Sequence, residues 1–143
     1  MHELTHQALP ERRYLELLGA ALCVFNSNNA FIIKTILRMD MLDEYDWWKL
    51  TDLEAGRLRQ TIHNVISTRC GDEIETLFVD LIQRRNRIIH SYRITNSSKE
   101  QVLATKVKGT GIQFEITEEY LLEFIKQNDI LSNRLNNLRN VNH

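Results

Sequence analysis

The sequence predicts a mainly α-helical fold, an antiparallel bundle of about four helices with a β-hairpin inserted before the last one. Three observations carry this. Apolar residues recur at helical spacing over most of the chain. One proline and five glycines in 143 residues leave few breaks, which favours long helices. The period changes to two around residues 101–116, about a glycine-containing turn. The whole chain, 1–143, is expected to form one domain with a core of its own.

Pro10 suits a first helical turn, where its missing N–H costs nothing. From Glu11 onward Tyr14, Leu18, Leu22, Phe25, Ile32 or Ile33, and Ile36 keep helical phase. The phase carries through Asn26-Ser27-Asn28-Asn29, so one helix is expected over 11–39. Residues 40–50 hold Asp40, Asp43, Glu44 and Asp46, then Trp47 and Trp48. They lack the ligand spacing and turn glycine of a hard-cation loop. They read as a solvated connection with both tryptophans tucked onto the core. Thr51 and Glu54 match a capping box, which places a helix over 51–67 with Leu53, Leu58, Ile62 and Ile66 inward. Cys70-Gly71 stops it, and Asp72 with Glu75 caps the next, over 73–93. A loop over 95–99 follows. Residues 102–107 and 112–116 flank Lys108-Gly109-Thr110-Gly111 as a hairpin. Two strands alone are unstable, so the ribbon needs the helices or another subunit beneath it. Thr117 caps a last helix over 118–140, striped by Leu121, Phe124 or Ile125, Asn128, Leu131, Leu135 and Leu138.

Composition narrows the function classes. The formal net charge is −1, so any contact with nucleic acid must rest on a local basic patch. Cys23 and Cys70 have no paired spacing and make neither a zinc site nor a disulfide scaffold. Cys23, inside an apolar run, is expected to be a buried thiol, and Cys70 part of a turn. His2, His6, His63 and His143 form no usable ligand spacing, and the isolated Glu3/His6 pair is too little for a site. No metal and no cofactor are expected. The start lacks the basic and apolar regions of a signal peptide, and no apolar stretch approaches a membrane span. The expected location is the reduced cytoplasm, away from any membrane.

Residues 83–93 stand apart. They hold Arg84, Arg85, Arg87 and Arg93, together with Asn86, His90 and Tyr92. On a helix turning about 100° per residue, Ile74, Phe78, Leu81, Ile82, Ile88, Ile89 and Tyr92 fall within roughly 60° of Arg85. Arg85 thus occupies a position where a core helix normally carries leucine. A buried unpaired charge is costly. Arg85 therefore calls for an acid such as Asp40 or Glu44, a polar pocket, a subunit interface or a bound anion. Asn86 and His90 share a face one turn apart, whereas Arg85 and His90 are roughly 140° apart and do not converge from one regular helix. Either they act in different places, or a second copy of the helix completes one shared site.

In such a groove arginine offers a planar fork for phosphate oxygens, and histidine offers proton transfer near neutral pH. That suffices for metal-free RNA cleavage with the neighbouring 2′-hydroxyl as nucleophile. Plainer roles stand beside this. His90 fits an exposed helix end favoured by the dipole, and Tyr92 fits the core. Arg84, Arg87 and Arg93 fit a solvated face as well as they fit RNA.

The run Arg85-Asn86-Arg87-Ile88-Ile89-His90 resembles the Arg-x4-6-His signature of HEPN domains, including the polar residue after the arginine. His90-Ser91-Tyr92 further resembles the form found in HEPN toxins paired with nucleotidyltransferase-type antitoxins. The resemblance implies a homodimeric, metal-independent endoribonuclease of toxin–antitoxin or phage-defence type. It implies Arg85 and His90 as catalytic, Asn86 as supporting, Arg84, Arg87 and Arg93 as RNA contacts, and Tyr92 as a target of silencing modification by a separate partner chain. The alternative is a non-catalytic HEPN-like module for dimerisation, partner docking or nucleotide binding.

Overall fold

The computed structural model describes residues 4–107 and 109–141. The chain is mainly helical, with a small antiparallel sheet before the last helix. Helix α1 spans Arg12–Met39, and the asparagine-rich stretch does not break it. The reason is a partner helix. Asn28 is buried and donates from Nδ2 to the Asn128 carbonyl (2.8 Å) and Oδ1 (3.0 Å), while Ser132 donates to Asn28 Oδ1 at 2.6 Å. Buried amides with their bonds made are tolerated in a core, and they fix the register of the two helices. Pro10 lies just before the N-cap Glu11, outside the first turn in which it was expected.

The partner is α6, Glu118–Val141, which runs along α1 and also contacts α5, Glu73–Ile89. Thr117 accepts from the Tyr120 amide at 3.1 Å and so caps α6 as expected. The Phe25 ring of α1 stacks on Phe78 of α5 (5.8 Å between centroids) and Phe124 of α6 (6.2 Å). All three rings are fully buried at the centre of one core cluster. By length and composition α1 is apolar enough to cross a membrane, contrary to the expectation that no stretch comes close. Ten of its residues, Asn28 and Thr35 among them, are buried inside the protein.

The segment after α1 departs from the sequence reading. The Thr51/Glu54 box does not start a helix. Asp46 caps a short helix α2, Trp47–Asp52, by accepting from the Lys49 amide at 2.9 Å, and the box residues fall at its end. Trp47 packs on the core as expected, but Trp48 is 77% exposed. The next helical run begins with a 3-10 turn, Ala55–Arg57. It continues through α3, Leu58–Ile62, a π-helical turn, His63–Ser67, and α4, Thr68–Cys70. Gly71 ends it at φ +84°, a backbone conformation that suits glycine. Cys23 is exposed, so the expected buried thiol is not there.

Helix α5 stops at Ile89 rather than Arg93. Ser91 Oγ donates to the Ile88 carbonyl at 2.6 Å and takes up one of the helix's last acceptors. The chain then extends as β1, Tyr92–Thr95, antiparallel to β2, Gln101–Lys106, which pairs with β3, Gln113–Ile116. The expected hairpin is present as β2 and β3, and β1 is a third strand; the sequence reading put Tyr92 and Arg93 in the helix and Thr95 in the loop that follows. Tyr14 of α1 anchors the sheet. Its hydroxyl donates to the Ile116 carbonyl at 2.5 Å and accepts from the Leu103 amide at 3.1 Å. Lys108, in the hairpin turn, lies outside the described residues, as do Glu3, His2 and His143.

Candidate functional site

The motif lies on the last two turns of α5 and the first residues of β1. Arg85 points inward as its helical phase demands, with Cζ 4.9 Å from the centroid of the Phe25 ring. Its Nε is buried and has no hydrogen-bond partner. Asp40 is engaged elsewhere, accepting from the Tyr45 amide at 2.9 Å. Neither Asp40 nor Glu44 pairs with Arg85; the acid whose field reaches it is Glu54. Burial lowers the guanidinium's pKa from its ordinary value, and Glu54 acts the other way. Among the described residues Arg85 forms no ion pair. Arginine keeps its charge in a protein, so a cation sits half-buried on an aromatic ring with donor capacity to spare.

The neighbouring arginines are occupied. Arg84 pairs with Asp80 one turn back, Nε to Oδ2 at 3.0 Å, and its carbonyl accepts from the Tyr120 hydroxyl at 3.0 Å. Arg87 lies over the Phe114 ring, 5.8 Å from its centroid. Tyr120, beside Arg84 and Arg87, has its pKa raised by burial, with the two cations pulling the other way. Arg93 is on β1 and donates to the Gln101 side chain. Arg84 and Arg93 have side-chain acceptors, whereas Arg85 and Arg87 each lie over an aromatic ring; among the described residues Arg85 is the arginine with a buried nitrogen that has no hydrogen-bond partner.

His90 is the C-cap of α5 and is exposed, and its amide donates to the Asn86 carbonyl at 2.9 Å. Asn86 is exposed one turn earlier. Helix α5 is regular through Ile89, so Arg85 and His90 keep their angular separation and do not converge within one chain. Tyr92 is not in the core. It is 38% exposed on an edge strand, and its hydroxyl donates to Gln113 Oε1 at 2.7 Å. Ile89, expected inward, is 53% exposed beside His90, whereas Ile88 is buried. Three clefts on the described surface, beside Pro10, beside Tyr14 and beside Arg134, are lined by other residues.

A second constellation was not legible in the sequence. Glu75, whose side chain is 13% exposed, accepts from His63 Nδ1 (2.9 Å) and Ser67 Oγ (2.9 Å) on Oε1, and from Arg59 Nε (3.3 Å) on Oε2. Burial would raise its carboxyl pKa, but the hydrogen bonds from His63, Ser67 and Arg59 outweigh that and hold it below the usual glutamate value. Glu75 therefore does not act in a capping box, and Asp72 makes no side-chain cap bond either. The spacing of 63, 72 and 75 crosses a chain turn, so no one-helix pattern could have found the group.

No family model matches the chain, and comparison with curated proteins and with solved structures gives no match either.

Proposed function

We propose that the chain is a metal-independent endoribonuclease of the HEPN kind, acting in the cytoplasm as a toxin or phage-defence effector. In this reading α1, the 58–70 run, α5 and α6 are the four helices of an antiparallel bundle. Two copies meet along the C-terminal part of α5. The observation that supports this is the state of Arg85. It is inward-facing, with a buried Nε that has no partner, while His90 faces solvent on another side of the same helix. The exposed Ile89 beside His90 gives that surface apolar character. A two-fold pairing gathers Arg85 and His90 of both copies into one groove.

In that groove one His90 takes the proton from a ribose 2′-hydroxyl, and the freed oxygen attacks the adjacent phosphorus. The bond to the 5′-oxygen breaks, and that oxygen takes a proton from the second His90. Arg85 donates its fork to the phosphate oxygens as charge builds on them. Asn86, one turn before His90, orients the imidazole or the phosphate. The products are a 2′,3′-cyclic phosphate and a 5′-hydroxyl end. DNA lacks the nucleophile and is spared. Arg84, Arg87 and Arg93 flank the groove as RNA contacts. Tyr92, with its hydroxyl at a sheet edge, is the point at which an antitoxin or nucleotidyltransferase-type partner chain silences the enzyme.

The purified protein is expected to cut RNA in excess EDTA and to leave cyclic-phosphate ends. His90→Ala should lower cutting by at least about 100-fold with fold and dimer intact; cleavage near the wild-type rate in this variant rejects the reading. The exposed Ile89 and Ile112 also suit a non-catalytic docking or nucleotide-binding module. In that case neither wild type nor variant cuts, and Arg85→Ala changes the particle size or nucleotide binding instead.

A further inference from the structure

His63, Asp72 and Glu75 lie at the other end of α5 from the motif. Each offers one ligand atom, and the three atoms lie within 4.8 Å of one another. Three features make this more than a group of surface acids. The first is chemical: an imidazole nitrogen stands among two carboxylates, a donor set suited to borderline transition ions rather than to magnesium or calcium. The second is Asp72. As N-cap of α5 it would ordinarily accept from a first-turn amide, yet its side chain makes no cap bond and lies close to a second carboxylate and the imidazole. The third is the backbone. His63 and Ser67 bound a π-helical turn, a costly form that recurs at functional sites, and both side chains reach Glu75 from it.

We propose that His63, Asp72 and Glu75 bind one divalent transition ion of the zinc class. The ion replaces the hydrogen bond between His63 Nδ1 and Glu75 Oε1. Asp72 supplies the third ligand. His63 and Asp72 are both exposed, so water completes the coordination. Ser67 and Arg59 hold Glu75 in place from outside, Arg59 on the oxygen the ion does not use. The Arg59 charge also weakens the attraction for a dication, so the site is of moderate affinity. The ion ties the π turn to the start of α5. Its role is to hold the two segments together, and it is separate from the Arg85/His90 chemistry. The proposal does not depend on the ribonuclease reading.

The test uses the full chain with Cys23→Ser and Cys70→Ser, which removes both exposed thiols as competing ligands. Zinc is titrated by calorimetry, with magnesium as control, and cobalt is followed by its visible spectrum. The expected result is one zinc per chain, no magnesium binding, and an unfolding temperature raised by zinc. Asp72→Asn keeps the shape of the side chain and leaves the His63–Glu75 bond untouched. It should leave the metal-free unfolding temperature unchanged and weaken zinc at least tenfold. His63→Ala should abolish the cobalt spectrum. No zinc binding by the parent chain overturns the site, as does equal zinc affinity in either variant.

Discussion

Helix α5 carries two inward-reaching charges of opposite sign, and the protein treats them in opposite ways. Glu75, in the first turn, has three donors on its two oxygens. Arg85, almost three turns later, has an aromatic ring beneath it and a buried Nε with no partner. Burying an ionised group costs several kcal/mol unless partners restore what water supplied. Glu75 meets that condition and is a structural element, joining α5 to the 58–70 run. Arg85 meets it less fully, with the Phe25 ring and the field of Glu54 in place of a hydrogen-bonded acid and a buried Nε left unpaired. That is why the functional proposal rests on Arg85 and the structural one on Glu75.

The comparison can be broken experimentally. The largest effect is expected at the exposed end of the motif. His90→Ala should lower RNA cleavage by about 10²- to 10⁴-fold, and thermal unfolding should be nearly unchanged because the side chain is exposed. A parallel fall in both would mean that His90 is structural.

Next come two substitutions of opposite sign on one helix. Glu75→Gln removes the charge facing Arg59, His63 and Ser67, and should cost about 1–3 kcal/mol in urea unfolding. Arg85→Leu replaces an unpartnered cation by an apolar side chain over Phe25. It should leave stability unchanged or raise it by up to about 1 kcal/mol while abolishing cleavage. If Arg85→Leu destabilises as much as Glu75→Gln, Arg85 is a core element and the contrast fails.

The smallest effect is in pH. The folded pKa of Glu75 lies below its ordinary value of 4.5. Its stabilisation is therefore present above that value and is lost as the pH falls through the folded pKa. Wild type and Glu75→Gln should differ in urea midpoint at neutral pH and converge in acid below 4.5. Arg85→Leu should show no convergence over this range, because arginine does not titrate there. A constant gap between wild type and Glu75→Gln down to low pH would place the stabilisation in packing instead.

The sequence by itself determined the long elements. Helix α1 through its asparagines, helix α6 with its Thr117 cap, the hairpin and the inward phase of Arg85 were all legible. Each is set by local periodicity or by a cap within a few residues. Tertiary structure decided what local pattern leaves degenerate. Tyr92-Arg93-Ile94-Thr95 has an apolar rhythm that suits a helix or a strand. The choice fell to the Ser91 bond on Ile88 and to pairing with residues about ten positions ahead. The Thr51/Glu54 box lost to Asp46 because the chain had to break before the 58–70 run to seat Leu58 and Ile62 in the core. Where Asn28 finds Asn128 and Ser132, where Glu75 finds His63, and that Arg85 finds no acid are facts about side chains brought together from distant or separate segments. Periodicity says which way a side chain points, and only packing says what it meets there.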